Sequence, residues 1–193
     1  MSTDWNAIAA IASAIAALAA VATAIVAYYQ TRAASAIAKS TADQALELAK
    51  FNAELISLQH LDEQWQSQHM IEMRCSAAKA LLEGRTNFDL DQILDFFEEI
   101  ARLVKRGVLP VETAWDAYYW PISNYWRVSS AYAQKTQDDE GATWNNLPIM
   151  VAAMREVEAK ESTRAIDQIA PSETQTKEFL EDETNLRSLE RRP

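Results

Sequence analysis

Two histidines, each followed three residues later by a glutamate, are the first residues of this chain that could do chemistry: His60-x-x-Glu63 and His69-x-x-Glu72. Imidazole and carboxylate at this separation ligate metals from the helices of di-iron bundles, although the order there is Glu-x-x-His. On a single helix nine residues turn the chain by roughly 900°, which sets the two pairs on opposite faces. They close on one metal only with a second helix or chain, so they read as surface contacts and no metal is assigned. Cys75 lies about 240° around the helix from His69 and forms no dyad with it; it reads as a buried, inert thiol. Two histidines leave no support for a Ser-His-Asp arrangement. Asp138-Asp139-Glu140-Gly141 imitates a calcium loop, but its glycine is fourth instead of sixth, and Ile149 stands where the twelfth position needs Glu. A solvated loop is expected over 136–142. No catalytic residue and no cofactor is assigned, and the chain is not expected to be an enzyme.

Aromatic chemistry is denser. Trp115, Tyr118, Tyr119, Trp120, Tyr125, Trp126 and Tyr132 fall within 18 residues around Pro121. One reading is a ring-filled core at a proline bend. The other is an exposed recognition surface for a protein partner, with Trp115, Tyr119, Trp120, Tyr125 and Trp126 as its candidates. Base stacking would need a basic groove beside these rings, and the region offers Asp116 and Arg127. Glu99 borders the apolar arc beside Leu103 and is a candidate to pair with a base from another helix.

These residues must be positioned by helices. The chain has 193 residues, 49% of them apolar, with a formal net charge of −10. That acidity excludes nucleic acid as a partner, and three glycines at 84, 107 and 141 cannot build a phosphate cradle. A single cysteine excludes a disulfide framework, and no small-molecule substrate is identified. No stretch alternates as a strand would, so the fold class is all-α: an N-terminal transmembrane helix continuing into a stalk, then a cytoplasmic helical bundle.

The anchor is Trp5 to Thr31, which carries no charge. From Trp5 to Tyr28 a helix spans about 34 Å, against a hydrocarbon core of about 30 Å. Trp5, Tyr28, Tyr29 and Arg32 are the interface anchors. Of the 23 residues from Ala7 to Tyr29, 12 are Ala, so insertion rests on Ile8, Ile11, Ile15, Leu18, Val21, Ile25 and Val26. Arg32, Lys39 and Lys50 follow the segment and Asp4 precedes it, which places the C-terminal part in the cytoplasm. Ala12, Ala16, Ala20 and Ala24 allow close helix approach, hence self-association in the bilayer.

Residues 1–31 are therefore the anchor with a short outside tail, 32–83 a stalk helix, 84–167 a bundle packing on the stalk end, and 168–193 a charged, flexible or loosely docked tail. In the stalk, Ile37, Leu48, Phe51, Leu55, Leu58 and Trp65 keep a 3–4 spacing interrupted by Thr41, Gln44 and Asp62, a partial heptad seam. Asp89 is the expected N-cap of the next helix, with Phe88 stapled to Ile93. Ile93, Leu94, Phe96, Phe97, Ile100, Ala101, Leu103 and Val104 share one face, Asp95, Glu98, Glu99, Arg102, Lys105 and Arg106 the other, and Gly107 stops it. Pro110 opens a third helix that Pro121 ends or kinks, a further one runs from Ile122 to about Lys135, and Pro148 opens the last core helix.

The apolar N-terminal helix, the stalk, the run Ile93-Leu94-Asp95-Phe96-Phe97-Glu98-Glu99-Ile100-Ala101 ending in Lys105-Arg106-Gly107, and Trp126 in a following helix resemble an uncharacterised family of bacterial membrane-associated helical proteins, known as a domain of unknown function. The resemblance covers roughly residues 5 to 160. It implies a bacterial inner-membrane setting and carries no catalytic residues across. The function expected is a non-enzymatic interaction or scaffold module, held on the lipid bilayer and engaging itself or a protein partner. The alternative is an effector or sensor subunit of a bacterial stress or phage-defence system, with a metal site formed between chains.

Overall fold

The computed structural model describes the backbone of residues 5–141 and 143–189, and all of their side chains except those of residues 5–12, 14, 17, 36, 140, 167 and 187–189. The described chain is all-helical: α1 (Trp5–Trp65), α2 (Gln68–Leu82), α3 (Phe88–Lys105), α4 (Val111–Glu140), α5 (Leu147–Ser162), a 3-10 turn (Ile166–Gln168) and α6 (Glu173–Leu189). It divides into two compact units, Met1–Phe51 and Asn52–Pro193.

The first unit is helix throughout its described residues, since neither glycine nor proline interrupts it. Every described side chain from Ser13 to Phe51 is exposed, Ile15, Leu18, Val21, Ile25, Val26, Tyr28 and Tyr29 included. Among the described residues, no helix is long and apolar enough to cross a membrane. The spanning segment expected over 1–31 is thus not found there, and the side chains of Trp5, Ile8 and Ile11 lie outside the described ones.

The second unit holds the core. Trp65 stacks on Phe96 with centroids 5.2 Å apart, Phe97 meets Tyr125 at 5.9 Å, and Tyr125 meets Phe179 at 5.4 Å. One continuous set of rings therefore ties together α1, α3, α4 and α6. Leu61, Leu90, Ile93, Leu94, Ile100 and Leu147 fill in around it, all fully buried. α2 and α3 end alike. The N–H of Gly84 bonds the Leu81 carbonyl and that of Arg85 the Ala80 carbonyl; Gly107 bonds Val104 and Val108 bonds Leu103. These are Schellman closures, and φ values of +69° and +68° explain glycine at both positions.

Several expected boundaries move. The 32–83 stalk is not one helix: Ser67 accepts from the Met70 N–H at 3.2 Å, and this side-chain cap competes with helix continuation and starts α2. Asn87, not Asp89, caps α3. Its Oδ1 accepts from the Leu90 N–H while its Nδ2 donates to Ser76 on α2, both at 3.1 Å, and Phe88 is left exposed without a staple. Pro121 does not end its helix; α4 runs through it to Glu140, taking up residues 136–140 of the expected 136–142 loop. The missing proline N–H deprives the Ala117 carbonyl of its helical donor. Ala117 and Pro121 both line an open groove where solvent reaches, while Tyr118, Ile122 and Tyr125 hold the helix to the core.

Glu98 is also misplaced on the expected polar face. It is 9% exposed and accepts from the Asn146 N–H (3.1 Å), the Asn146 Nδ2 (2.5 Å) and the Leu147 N–H (2.9 Å). A carboxylate from α3 thus caps the N-terminus of α5, where free N–H groups and the helix dipole favour negative charge. Within the expected 168–193 tail, residues 173–189 form α6, which docks against α2 and α4 and buries Thr176, Phe179, Leu180 and Glu183.

Candidate functional site

The docked α6 brings a buried ion pair to the middle of the second unit. Arg74 on α2 sits within the apolar run Met73, Cys75, Ala77 and Ala78. Glu183 lies one turn after Phe179 on the same buried face of α6. The guanidinium donates from Nε to Glu183 Oε2 at 2.7 Å and from Nη2 to Oε1 at 2.6 Å, a bidentate fork. Tyr125 donates its hydroxyl to Oε2 at 3.1 Å, and the Cys75 thiol donates to the Glu183 carbonyl at 3.1 Å. The Arg74 Cζ lies 4.0 Å from the Trp65 ring centroid. Burial, and then the neighbouring Glu183 carboxylate, hold the Tyr125 phenol well above its ordinary range, so it stays a donor.

This pair forms one wall of an open groove of about 740 Å³. Leu55, Leu58, Asp62 and Trp65 line it from α1, Tyr118, Trp120 and Pro121 from α4, and Phe179 and Glu183 from α6. Trp120 is half exposed and makes a T-shaped contact with Phe179 at 6.5 Å. Tyr118 is 3% exposed, and its buried hydroxyl has no hydrogen-bond partner among the described residues. Burial, reinforced by the Asp62 charge, pushes its phenol up to about 12. The site offers neutral hydroxyls, a half-exposed indole and one exposed carboxylate on an apolar surface. That chemistry suits binding.

The aromatic cluster divides. Tyr125, expected as a surface candidate, is wholly buried by Phe97 and Phe179 and cannot meet a partner. Trp115 and Tyr119 are partly buried and committed, the indole N–H to Glu158 at 3.1 Å and the hydroxyl to the Ile169 carbonyl at 3.1 Å. Trp126 packs partly buried against the core. Of the five, Trp120 alone is exposed.

His60 and His69 are exposed on separate helices, and among the described residues no three metal-binding side chains gather. Cys75 is buried. Tyr28, Tyr29 and Arg32 are exposed on α1, and the Trp5 side chain lies outside the described ones. Glu99, expected to find a base, lines a shallow surface cavity that also includes Arg102 of its own helix. Asp138 and Asp139 are exposed on the last turn of α4.

Sequence reasoning missed Arg74 and Glu183, which stand 109 positions apart. The one local signal was a face of Thr176, Phe179, Leu180, Glu183 and Leu186 at helical spacing, with a carboxylate in its centre.

No curated protein and no solved structure matches the chain. A family model matches residues 7–155, which takes in the apolar N-terminal run and Arg74 and stops short of α6. With most of its length matched, the chain belongs to the family described as Domain of unknown function (DUF4760).

Proposed function

We propose that this chain is a single-pass, membrane-anchored helical binding module without catalytic activity, its C-terminal unit in the cytoplasm of a bacterium. The observation that carries the anchor is the bare apolar surface of α1: Ile15, Leu18, Val21, Ile25 and Val26 are each more than half exposed. The second unit completes its own core without them. An uncharged run of this kind needs a cover, and hydrocarbon is the cover that also suits the flanking Tyr28, Tyr29 and Arg32. The run reaches bilayer length by counting back through Ala7–Ala12. A binding role is supported by the groove, and by the way nucleophile and base candidates are dispersed: both histidines point to solvent and the one thiol is committed to a carbonyl.

Flotation of the full-length protein with phospholipid vesicles tests the anchor. The protein should float with the vesicles and stay with them in alkaline carbonate. Release by carbonate refutes the anchor, and protection of a C-terminal tag from protease added outside intact cells' inner membranes refutes no part of it, whereas its digestion from the periplasmic side overturns the orientation.

A further inference from the structure

We propose that α1 pairs with α1 of a second copy of this chain, as a parallel, in-register two-helix contact over residues 37–51. The parallel direction rests on the anchor reading above, since two copies held in one bilayer point the same way; the seam and its occupant are new.

This stretch bares apolar side chains where lipid does not reach. Ile37, Leu48 and Phe51 are 68%, 61% and 54% exposed. At about 1.5 Å per residue, Ile37 stands roughly 12 Å beyond Tyr29 along the helix, and Phe51 roughly 33 Å beyond it. Lys39, Asp43, Glu47 and Lys50 lie between them, so the surroundings are aqueous. Hydrocarbon that covers the uncharged run up to Tyr29 therefore ends before Ile37. The apolar side chains past that point need a different cover.

Their arrangement names it. At about 100° per residue, Ile37, Thr41, Gln44, Leu48 and Phe51 fall within an arc of roughly 80°. Their alternating spacing of four and three is the seam of a coiled coil, with Ile37, Gln44 and Phe51 at d and Thr41 and Leu48 at a. Charge keeps off this arc. Arg32, Lys39, Asp43, Glu47 and Lys50 all lie at least about 80° from its centre, and Glu47 and Lys50 pair with each other at 2.9 Å. Ala38 and Ala45 flank the seam on the other side and let a second backbone come close. Gln44 decides between a copy of this chain and some other apolar helix. Its amide makes no side-chain hydrogen bond among the described residues. An apolar partner would strip water from it and return nothing. An identical helix in register brings a second Gln44 amide, which both donates and accepts. Thr41 raises no such cost, because its hydroxyl already donates to the Ile37 carbonyl at 3.0 Å.

The test is oxidative cross-linking of the full-length protein in phospholipid vesicles, with one cysteine introduced at a time. Cys75 is buried, so the unsubstituted chain is the blank. Gln44→Cys and Leu48→Cys put thiols on the seam, where the same position on two parallel helices comes within disulfide reach. Leu46 is 56% exposed and equally apolar, but it lies about 180° from the centre of the seam, so Leu46→Cys holds the thiols apart. Disulfide-linked dimer should form at 44 and 48 at least about fivefold faster than at 46. In nonionic detergent, sedimentation should find two chains per particle. Leu48→Glu, which sets like charges face to face, should weaken the pair at least about tenfold, and Gln44→Leu should tighten it. Both side chains are exposed, so neither change disturbs the folded core. Cross-linking at 46 equal to that at 48, no cross-linking at 44 and 48, one chain per particle, or a dimer indifferent to Leu48→Glu would each overturn the proposal. Loss of the dimer with vesicle flotation intact would remove the pairing and keep the anchor; a cross-linked dimer in protein that does not float would remove the anchor and keep the pairing.

Discussion

Removing the Glu183 carboxylate should unfold more of this protein's stability than removing any other single charge in the docked tail. In the folded chain Arg74 and Glu183 have side chains 8% and 5% exposed, joined by two bonds of 2.7 and 2.6 Å. Glu183→Ala deletes both bonds, leaves the Tyr125 hydroxyl with only the Arg74 carbonyl at 3.5 Å, and leaves a guanidinium in an apolar site with only the Trp65 ring and a long contact to a carbonyl. Breaking a buried pair on one side costs about 3–5 kcal/mol, mostly the penalty of the orphaned charge. At roughly 2–4 °C per kcal/mol for a chain of this size, the melting temperature should fall by about 6–20 °C. The double variant Arg74→Met, Glu183→Met is the decisive comparison. With no charge left to desolvate, it should recover most of the loss and lie within about 1–2 kcal/mol of the native protein. Thermal unfolding followed by far-ultraviolet circular dichroism at pH 7 reads both. A Glu183→Ala shift below about 2 °C, or a double variant as damaged as the sum of the two singles, would refute the argument, because either result means the pair is not desolvated.

Truncation after Ala170 removes α6 and should lower the melting temperature by at least about 10 °C, since it exposes Arg74, Cys75 and Tyr125 together; an unchanged transition would show that α6 does not dock. Phe97→Ala should cost about 3–5 kcal/mol by cavity formation in the ring cluster, measured by urea unfolding. Glu98→Ala should cost about 2–3 kcal/mol in the same assay, since it leaves the Asn146 and Leu147 N–H groups without their cap; a loss under about 0.5 kcal/mol would return Glu98 to the surface. Alkaline pH should also destabilise the fold. The phenols of Tyr118 and Tyr125 are raised above 10.0 in the folded chain. Stability is therefore intact below pH 10 and drains as the unfolded tyrosines ionise first, through about 12 for Tyr118. Tyr118→Phe should narrow the stability gap between pH 9 and pH 11, and an unaltered gap would contradict the shift.

Helicity, the α3 face, and its glycine stop were all legible in one dimension. Each depends on residues within about four positions of one another: the 3.6-residue recurrence from Ile93 to Val104, and a glycine able to take positive φ at 107. The uncharged run from Trp5 to Thr31 is equally local. Four matters were settled only by packing. Glu98 looked polar by type and by wheel position, yet a helix N-terminus arriving from residue 147, far along the chain, made burial of its carboxylate favourable. Pro121 reads as the end or a kink of its helix, and the helix continues because buried side chains on both sides of it outweigh the lost backbone bond. Tyr125 and Trp120 are both aromatic and five positions apart; which faces the core depends on where α6 lies. The tail looked too poor in apolar residues to order itself. Its large apolar residues, Phe179, Leu180, Leu186 and Leu189, leave out Glu183, whose value comes from an arginine 109 positions away and from the water excluded around both. Desolvation belongs to a place in space, not to a position in a sequence, and so the groove and its ion pair came into view only with the tertiary structure.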